Sequence, residues 1–407
     1  MRILLPFRRR DFAVLWTGHA LSSVGDGVFT VAIAFEILRL HNDATTLSLV
    51  LLAGSAGLVA CVLAGGVVTD RFERRRVLIG ADAVRLVAVS AMGVMALADV
   101  LHVWQAVVLM LFYGAGEAFF QPAFAALLPA VVPAPELVQA NAVQHVLQPV
   151  AMRFAGPALG GVLVAVSSPG WALLADGATF AVSIVCVLAL HTRSRPVRGG
   201  ERALRELAAG WRYVRSQPWL WATLGGAALS LLAYWGPVEV LVPYIIRNDL
   251  GGNAGDYGAV LAASGVGAAV GGLAIAQTGL PARAVVFMYA SWGLGSLTLV
   301  GVAVAGAVWQ LLPFGLVLGV TETAGMVVWS TLMQTRVPAP LLGRVTSLDF
   351  FVSIGLVPLS FALVGPLAGA IGARATLLSA GVASAAGLLA FLPLALRPPA
   401  RQEANAS

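Results

Sequence analysis

The chain has no lysine: all 25 of its basic residues are arginine, and only 11% of its 407 residues are charged. Its two cysteines, Cys61 and Cys186, both fall inside long apolar runs. That placement argues against a disulfide framework and a cysteine metal site. The five histidines (His19, His41, His102, His145 and His191) are scattered, and only His145 reads as deep within an apolar run. Zinc spacings, phosphate-cradling glycine loops and nucleophile elbows are missing, so the chain does not read as an enzyme and no metal or cofactor is expected. No polar stretch is long enough to fold as an ATP-binding domain, which excludes a primary pump. The first apolar run lacks a small-residue cleavage site and reads as an uncleaved helix.

What is present is apolar. The composition is 59% hydrophobic, and the mean hydropathy is +0.88. Long uncharged runs of about twenty residues, the length that crosses a bilayer core, recur along the chain. They predict an all-α membrane protein of about twelve spans, at 12–38, 47–69, 77–98, 102–128, 138–166, 170–190, 219–247, 256–278, 284–304, 307–331, 341–366 and 372–395. The formal charge of +6 does not point to nucleic acid. Arg8 to Arg10, Arg71 to Arg76, Arg193 to Arg215, Arg336, Arg344 and Arg397 all fall on one side of this span list, against Arg39, Arg247 and Arg374 on the other. Positive charge resists translocation, so the basic side is read as cytoplasmic, with both termini there. The lysine-free, Ala/Val/Leu/Gly-rich composition suggests a GC-rich bacterial genome, and hence a multi-pass protein of the bacterial inner membrane, in contact with its lipids.

The chain also repeats itself. Val132-Pro133-Ala134-Pro135 recurs as Val337-Pro338-Ala339-Pro340, and Glu117 and Glu322 precede these by the same interval. Gly65-Gly66 is matched by Gly271-Gly272, and Gly156-Pro157-x-x-Gly160-Gly161 by Gly365-Pro366-x-x-Gly369-Ala370. The expected organisation is an N-terminal six-helix half over 1–190, a cytoplasmic linker over 191–218, a C-terminal half over 219–398 and a tail over 399–407. The linker reads either as an amphipathic helix on the membrane surface or as a solvated connector.

Between the second and third runs lies a tight basic loop, Gly66-x-x-x-Asp70-Arg71-x-x-Arg74-Arg75. It resembles the signature loop between helices 2 and 3 of the major facilitator superfamily. That resemblance implies two pseudo-symmetric halves rocking about a midplane site. It further implies a cytoplasmic gate formed by Gly66, Asp70, Arg71, Arg74 and Arg75, with Arg344 or Asp349 as partner across the halves. Ser22-Ser23-Val24-Gly25-Asp26 resembles the first span of drug and siderophore exporters. Gly156-Pro157-x-x-Gly160-Gly161 resembles the antiporter motif of helix 5, with Met152 standing where the full motif has another glycine.

A charge within a span is costly and demands a reason. Asp26, Glu36, Glu117, Glu239 and Glu322 fall in spans 1, 1, 4, 7 and 10, and the resemblance makes those four helices the cavity lining. Helical spacing puts Tyr113 and Phe120 beside Glu117, Trp235 beside Glu239, and Met326 and Trp329 beside Glu322. An acidic cavity with aromatic and methionine walls suits bulky lipophilic cations. Asp82 and Arg85, one turn apart, are expected to neutralise each other. Arg153 needs a buried partner, with Glu117 and Asp26 as candidates. His145 reads either as a hydrogen-bonded packing residue or as a proton relay. The expected function is proton-coupled efflux of lipophilic cationic drugs by a monomer, using the proton gradient and no bound cofactor. Two alternatives stand beside it: export of an endogenous metabolite or siderophore, and a transporter-like sensor without flux.

Overall fold

The computed structural model describes residues 2–192 and 203–397; the side chains of Asp70, His145 and residues 203–209, among others, lie outside that description. Twelve helices among the described residues are long and apolar enough to cross a membrane. In order they are span 1 (Arg10–Leu40), span 2 (Ala44–Thr69), span 3 (Arg74–Leu97), span 4 (Val103–Val131), span 5 (Gln148–Val166) and span 6 (Pro169–Leu188). The second six are span 7 (Pro218–Asn248), span 8 (Ala254–Thr278), span 9 (Ala284–Val304), span 10 (Val308–Arg336), span 11 (Pro340–Ile371) and span 12 (Ala373–Ala395). Each overlaps the run expected from hydropathy. The main surprise is in span 5, whose helix begins at Leu137 and is interrupted by a π turn at Ala151–Ala155.

The turns between spans are short, and local chemistry sets them. The Asp43 carboxylate accepts from the Thr46 amide at 2.7 Å and starts span 2. Asn253 and Asp256 form the reciprocal cap that starts span 8. One residue, Gly372, separates spans 11 and 12; its φ of +87° is open to glycine and strained for other residues.

The two halves pack alike. Span 6 lies against spans 1 and 3, as span 12 lies against 7 and 9; spans 2 and 4 pair as do 8 and 10. This explains one repeated motif. A Cβ on Gly65 would strike the Ala118 carbonyl of span 4, and one on Gly271 would strike the Val320 carbonyl of span 10. Small residues let such helix pairs approach backbone to backbone. Of the repeated Gly65-Gly66 pair only Gly65 makes such a contact, and Gly66 faces open space.

Contact between the halves runs along two seams, span 2 with span 11 and span 5 with span 8. Both seams are tight near the end of the bundle opposite the basic loop, here the far end. There Gly365 of span 11 lies on Thr45 and Ser48 of span 2, and Gly161 of span 5 lies on Ala254 and Gly258 of span 8. The Asn42 amide donates to Asn248 across the same end at 2.5 Å. Toward the basic end spans 2 and 11 part around a cavity of about 360 Å³, walled by Val59, Val62 and Leu63 on one side and by Thr346, Phe350 and Phe351 on the other. The halves are thus closed at the far end and separated at the basic end.

Each half is braced at the far end by one arginine. Arg39 binds Glu36 at 2.9 Å, Asp99 at 2.8 Å and the Ala96 carbonyl at the end of span 3. Arg374 binds Asp249 at 2.6 Å together with the Ala303 and Ala305 carbonyls at the end of span 9. Glu36 is fully buried in this brace, so it does not share a space with Asp26 as the span count suggested.

Candidate functional site

Span 1 carries Asp26 on the face that meets spans 3, 4 and 6. Its Oδ1 accepts from the Tyr113 hydroxyl at 2.8 Å and lies 4.0 Å from Arg85. Arg85 and Asp82 form the expected pair one turn apart on span 3, and Ser183 of span 6 donates to the other Asp82 oxygen at 2.7 Å. The Arg85 guanidinium lies over the rings of Phe120 and Phe180, 4.4 Å from each centroid. Glu117 adds a further carboxylate that acts on this group. It reaches a small cavity of about 190 Å³ shared with Tyr113, Met110, Ser55 and Phe361 of span 11. Asp26, Tyr113 and Glu117 are therefore brought together, as their spans implied.

Phe120 is not on the cavity wall. It is buried beneath Arg85 and stacks on Phe124 and His19. His19, which the sequence did not mark as deep, is 4% exposed, and neither ring nitrogen has a hydrogen-bond partner in the structure. Also missed was Asp176 of span 6, fully buried against Gly25. Its sequence signal was plain: one acid near the middle of an apolar run.

A second polar group joins the halves. Arg153 of span 5 faces Glu322 of span 10 at 3.6 Å, with side chains 48% and 33% exposed. Neither Glu117 nor Asp26 is its partner, since Arg153 points across the seam toward the other half. Glu239 and Tyr234 of span 7 are close enough to act on its charge. Arg153 and Glu239 both sit in π turns, at Ala151–Ala155 and Pro237–Leu241. Pro157 and Pro243 follow them by four residues, and each lacks the N–H that would bond the Arg153 or Glu239 carbonyl in a regular helix. Such turns often mark working sites in helices. Trp235, edge-on to Tyr234, and the exposed Met326 complete this side. Trp329 does not, because it is buried between Trp219 and Trp292 and donates to Asp349 at 3.2 Å.

At the basic end Arg74 and Arg75 bond within the N-terminal half and Asp349 within the C-terminal half. Arg74 donates to the Ala126 carbonyl at 2.9 Å, and Arg75 to the Leu190 carbonyl at 2.8 Å and to that of Leu188. Arg71 is exposed. Arg344 packs against Gly210 of the amphipathic helix Ala203–Ser216, and Asp349 is held by Trp329. With the halves parted here, Arg74, Arg75 and Asp349 make no latch between them. The Asp70 and His145 side chains lie outside the described residues. Gly156, Pro157 and Gly160 of span 5 pack on Gly27 and Val28 of span 1, and Gly161 packs on span 8. The helix-5 motif is thus the point where three spans meet.

Residues 2–407 match the family described as transmembrane secretion effector. The chain belongs to this family of the major facilitator superfamily. Its relatives include macrolide efflux protein A of Streptococcus pyogenes, 25% identical over 91% of this chain and 92% of that protein. Enterobactin exporter EntS of Citrobacter koseri is 30% identical over 93% of this chain and 89% of that protein. Among solved structures, a bacterial homologue of the iron transporter ferroportin in an inward-facing state superposes with a TM-score of 0.72. That match has 14% identity and covers 95% of this chain and 99% of the other, so it speaks for the fold alone. This member of the family is a multi-pass membrane transporter of small molecules and not an enzyme.

Proposed function

We propose that the protein exports lipophilic, cation-bearing small molecules across the bacterial inner membrane, as a monomer driven by the proton gradient. The observation that carries this reading is the acid excess between the halves: among the described residues Glu117, Glu239 and Glu322 are partly exposed there, against Arg153. A cation bound among them gains charge attraction in a low-dielectric cleft, with Tyr234, Trp235 and Met326 beside it for adaptable apolar contact. The positive-inside rule makes the basic end cytoplasmic, so the conformation described is open to the cytoplasm and ready to load. Rocking about the seams then carries the site to the far side. The names of the two efflux relatives agree with outward movement. The half-exposed Arg153 favours a second reading, in which an acid-bearing endogenous product is the cargo.

The test is purified protein in liposomes under a proton gradient of either sign, with membrane potential clamped and ethidium as the cargo. Gradient-dependent movement that collapses with a protonophore supports the proposal, and Glu322→Gln is expected to reduce transport of ethidium more than that of a neutral macrolide. No movement of ethidium under either gradient refutes it and turns the search to acidic metabolites or to a sensor role.

A further inference from the structure

Among the described residues of the N-terminal half, Asp176 is a fully buried carboxylate with no ion pair. Its Oδ2 has no hydrogen-bond partner in the structure. Its Oδ1 has only the Thr179 hydroxyl at 3.4 Å, and that hydroxyl donates its single proton to the Asp176 carbonyl at 2.7 Å. No arginine or backbone amide reaches either oxygen among the described residues. A buried ionised carboxylate without such partners is far costlier than the neutral acid. Its neighbours are known on every side. Span 1 presents Asp26 and His19, span 3 presents Asp82 and Arg85, span 4 presents Tyr113 and Glu117, and the Gly156–Val166 part of span 5 presents no ionisable group. Arg85 is committed to Asp82 and, at 4.0 Å, to Asp26.

Asp176 lies beside the segment of span 1 that carries Asp26. Asp176 Oδ1 and Thr179 Oγ1 occupy the space where a side chain on Gly25 would stand, so the acid lies against the backbone of the residue next to Asp26. Asp26 itself is 17% exposed and holds the Tyr113 hydroxyl. One carboxylate of the two thus meets solvent and is stabilised by donors, while the other is sealed and is not.

We propose that Asp176 stores the coupling proton in this conformation and that Asp26 is its exchange point with the cleft. The step balances simply. The Asp176 O–H bond breaks, the proton passes to the Asp26 carboxylate and then to water, and Asp176 is left ionised until reprotonated by the reverse path. Asp176 then serves coupling only, while cargo recognition stays with Glu117, Glu239 and Glu322. This inference rests on the proton-driven reading above.

The experiment compares wild type with Asp176→Asn in liposomes, using radiolabelled tetraphenylphosphonium with membrane potential clamped by potassium and valinomycin. The variant is expected to keep cargo-for-cargo exchange without a gradient and to lose accumulation driven by a proton gradient. Gradient-driven accumulation that survives in Asp176→Asn overturns the assignment, as does accumulation in wild type that follows a sodium gradient instead. Infrared spectroscopy gives a readout independent of transport. Wild type is expected to show a protonated-carboxyl C=O band that is lost in Asp176→Asn. Thr179→Val, the second variant in case Asp176→Asn does not fold, is expected to shift this band without removing it. A band unchanged by both substitutions also overturns it. If wild type moves no cargo under any gradient, the proposed function fails, and the infrared band still decides the state of Asp176.

Discussion

Removing Asp82 should destabilise the N-terminal half more than removing Arg85, although the two form one pair. Both side chains are almost wholly buried, with 0% and 3% of their surface exposed. Breaking a buried pair from one side typically costs about 3–5 kcal/mol, because the survivor is left charged and unpaired. In Asp82→Leu the survivor is a guanidinium, which cannot shed its charge. It keeps Asp26 at 4.0 Å and the two phenylalanine faces at 4.4 Å, so the loss should fall near the lower bound, about 3 kcal/mol. In Arg85→Leu the survivors are carboxyl groups: Asp82 escapes the penalty by taking a proton and keeps the Ser183 hydroxyl, and Asp26 is 17% exposed and keeps the Tyr113 hydroxyl; about 1–2 kcal/mol is expected from the desolvated polar atoms. The double Leu variant removes both charges and should return to within about 1 kcal/mol of wild type. Unfolding of the purified protein in mixed micelles of rising SDS content, followed by tryptophan fluorescence, measures all three. Equal losses in the two single variants, or a double variant as unstable as their sum, would refute the reasoning.

Other perturbations test the seams and the cleft. With Cys61 and Cys186 replaced, Asn42→Cys with Asn248→Cys should be joined by a short bifunctional thiol reagent, stopping transport. Undiminished transport by fully joined protein would show that the far end need not open. Reversing charge at either Arg153 or Glu322 should abolish gradient-driven transport with under about 1 kcal/mol of stability change, since the pair is part exposed. The double swap should restore part of the transport, and a swap no better than the singles would separate the two residues. Asp70→Asn should cripple transport with expression intact, as read by ethidium efflux against protein level in the membrane; a fully active variant would remove Asp70 from the gate.

How much of this was legible before the structure depends on the range of each interaction. Span lengths and the Asp82–Arg85 pair are local, set by bilayer thickness and by one helical turn, and both read directly from sequence. Glu117 and Glu322 carried an extra signal in the repeat. Faces were harder. Phe120 is three residues from Glu117 and Trp329 seven from Glu322, so both share a helical stripe with the acid, yet the stripe is wide enough for one edge to meet the cleft and the other the bundle interior. The same ambiguity of phase left Gly65 and Gly66 undistinguished, though only Gly65 meets span 4. The π turn in span 5 adds a residue to one turn, so a regular period counted through it loses register and the direction of Arg153 cannot be read from spacing. Its partnership with Glu322 is set by how two halves meet, and nothing local encodes that. Asp176 was visible but had no periodic companion to draw attention to it.

The glycine contacts at the far end bear on how the molecule changes shape. Gly161 on Gly258, and Gly365 on Thr45, bring together helices whose amides and carbonyls are largely spent on their own ladders. Few side chains interdigitate at these glycine contacts themselves, although beside them Phe35 of span 1 meets Tyr257 of span 8 with ring centroids 6.2 Å apart. Lipid gives helices little hydrophobic reason to cling, so the closed end behaves like two smooth bearing surfaces pressed together. The resistance to opening falls on contacts such as the Asn42–Asn248 bond and the Phe35–Tyr257 ring pair. Mutations that add even one methyl group to these bearings should slow the change of state before they unfold the protein.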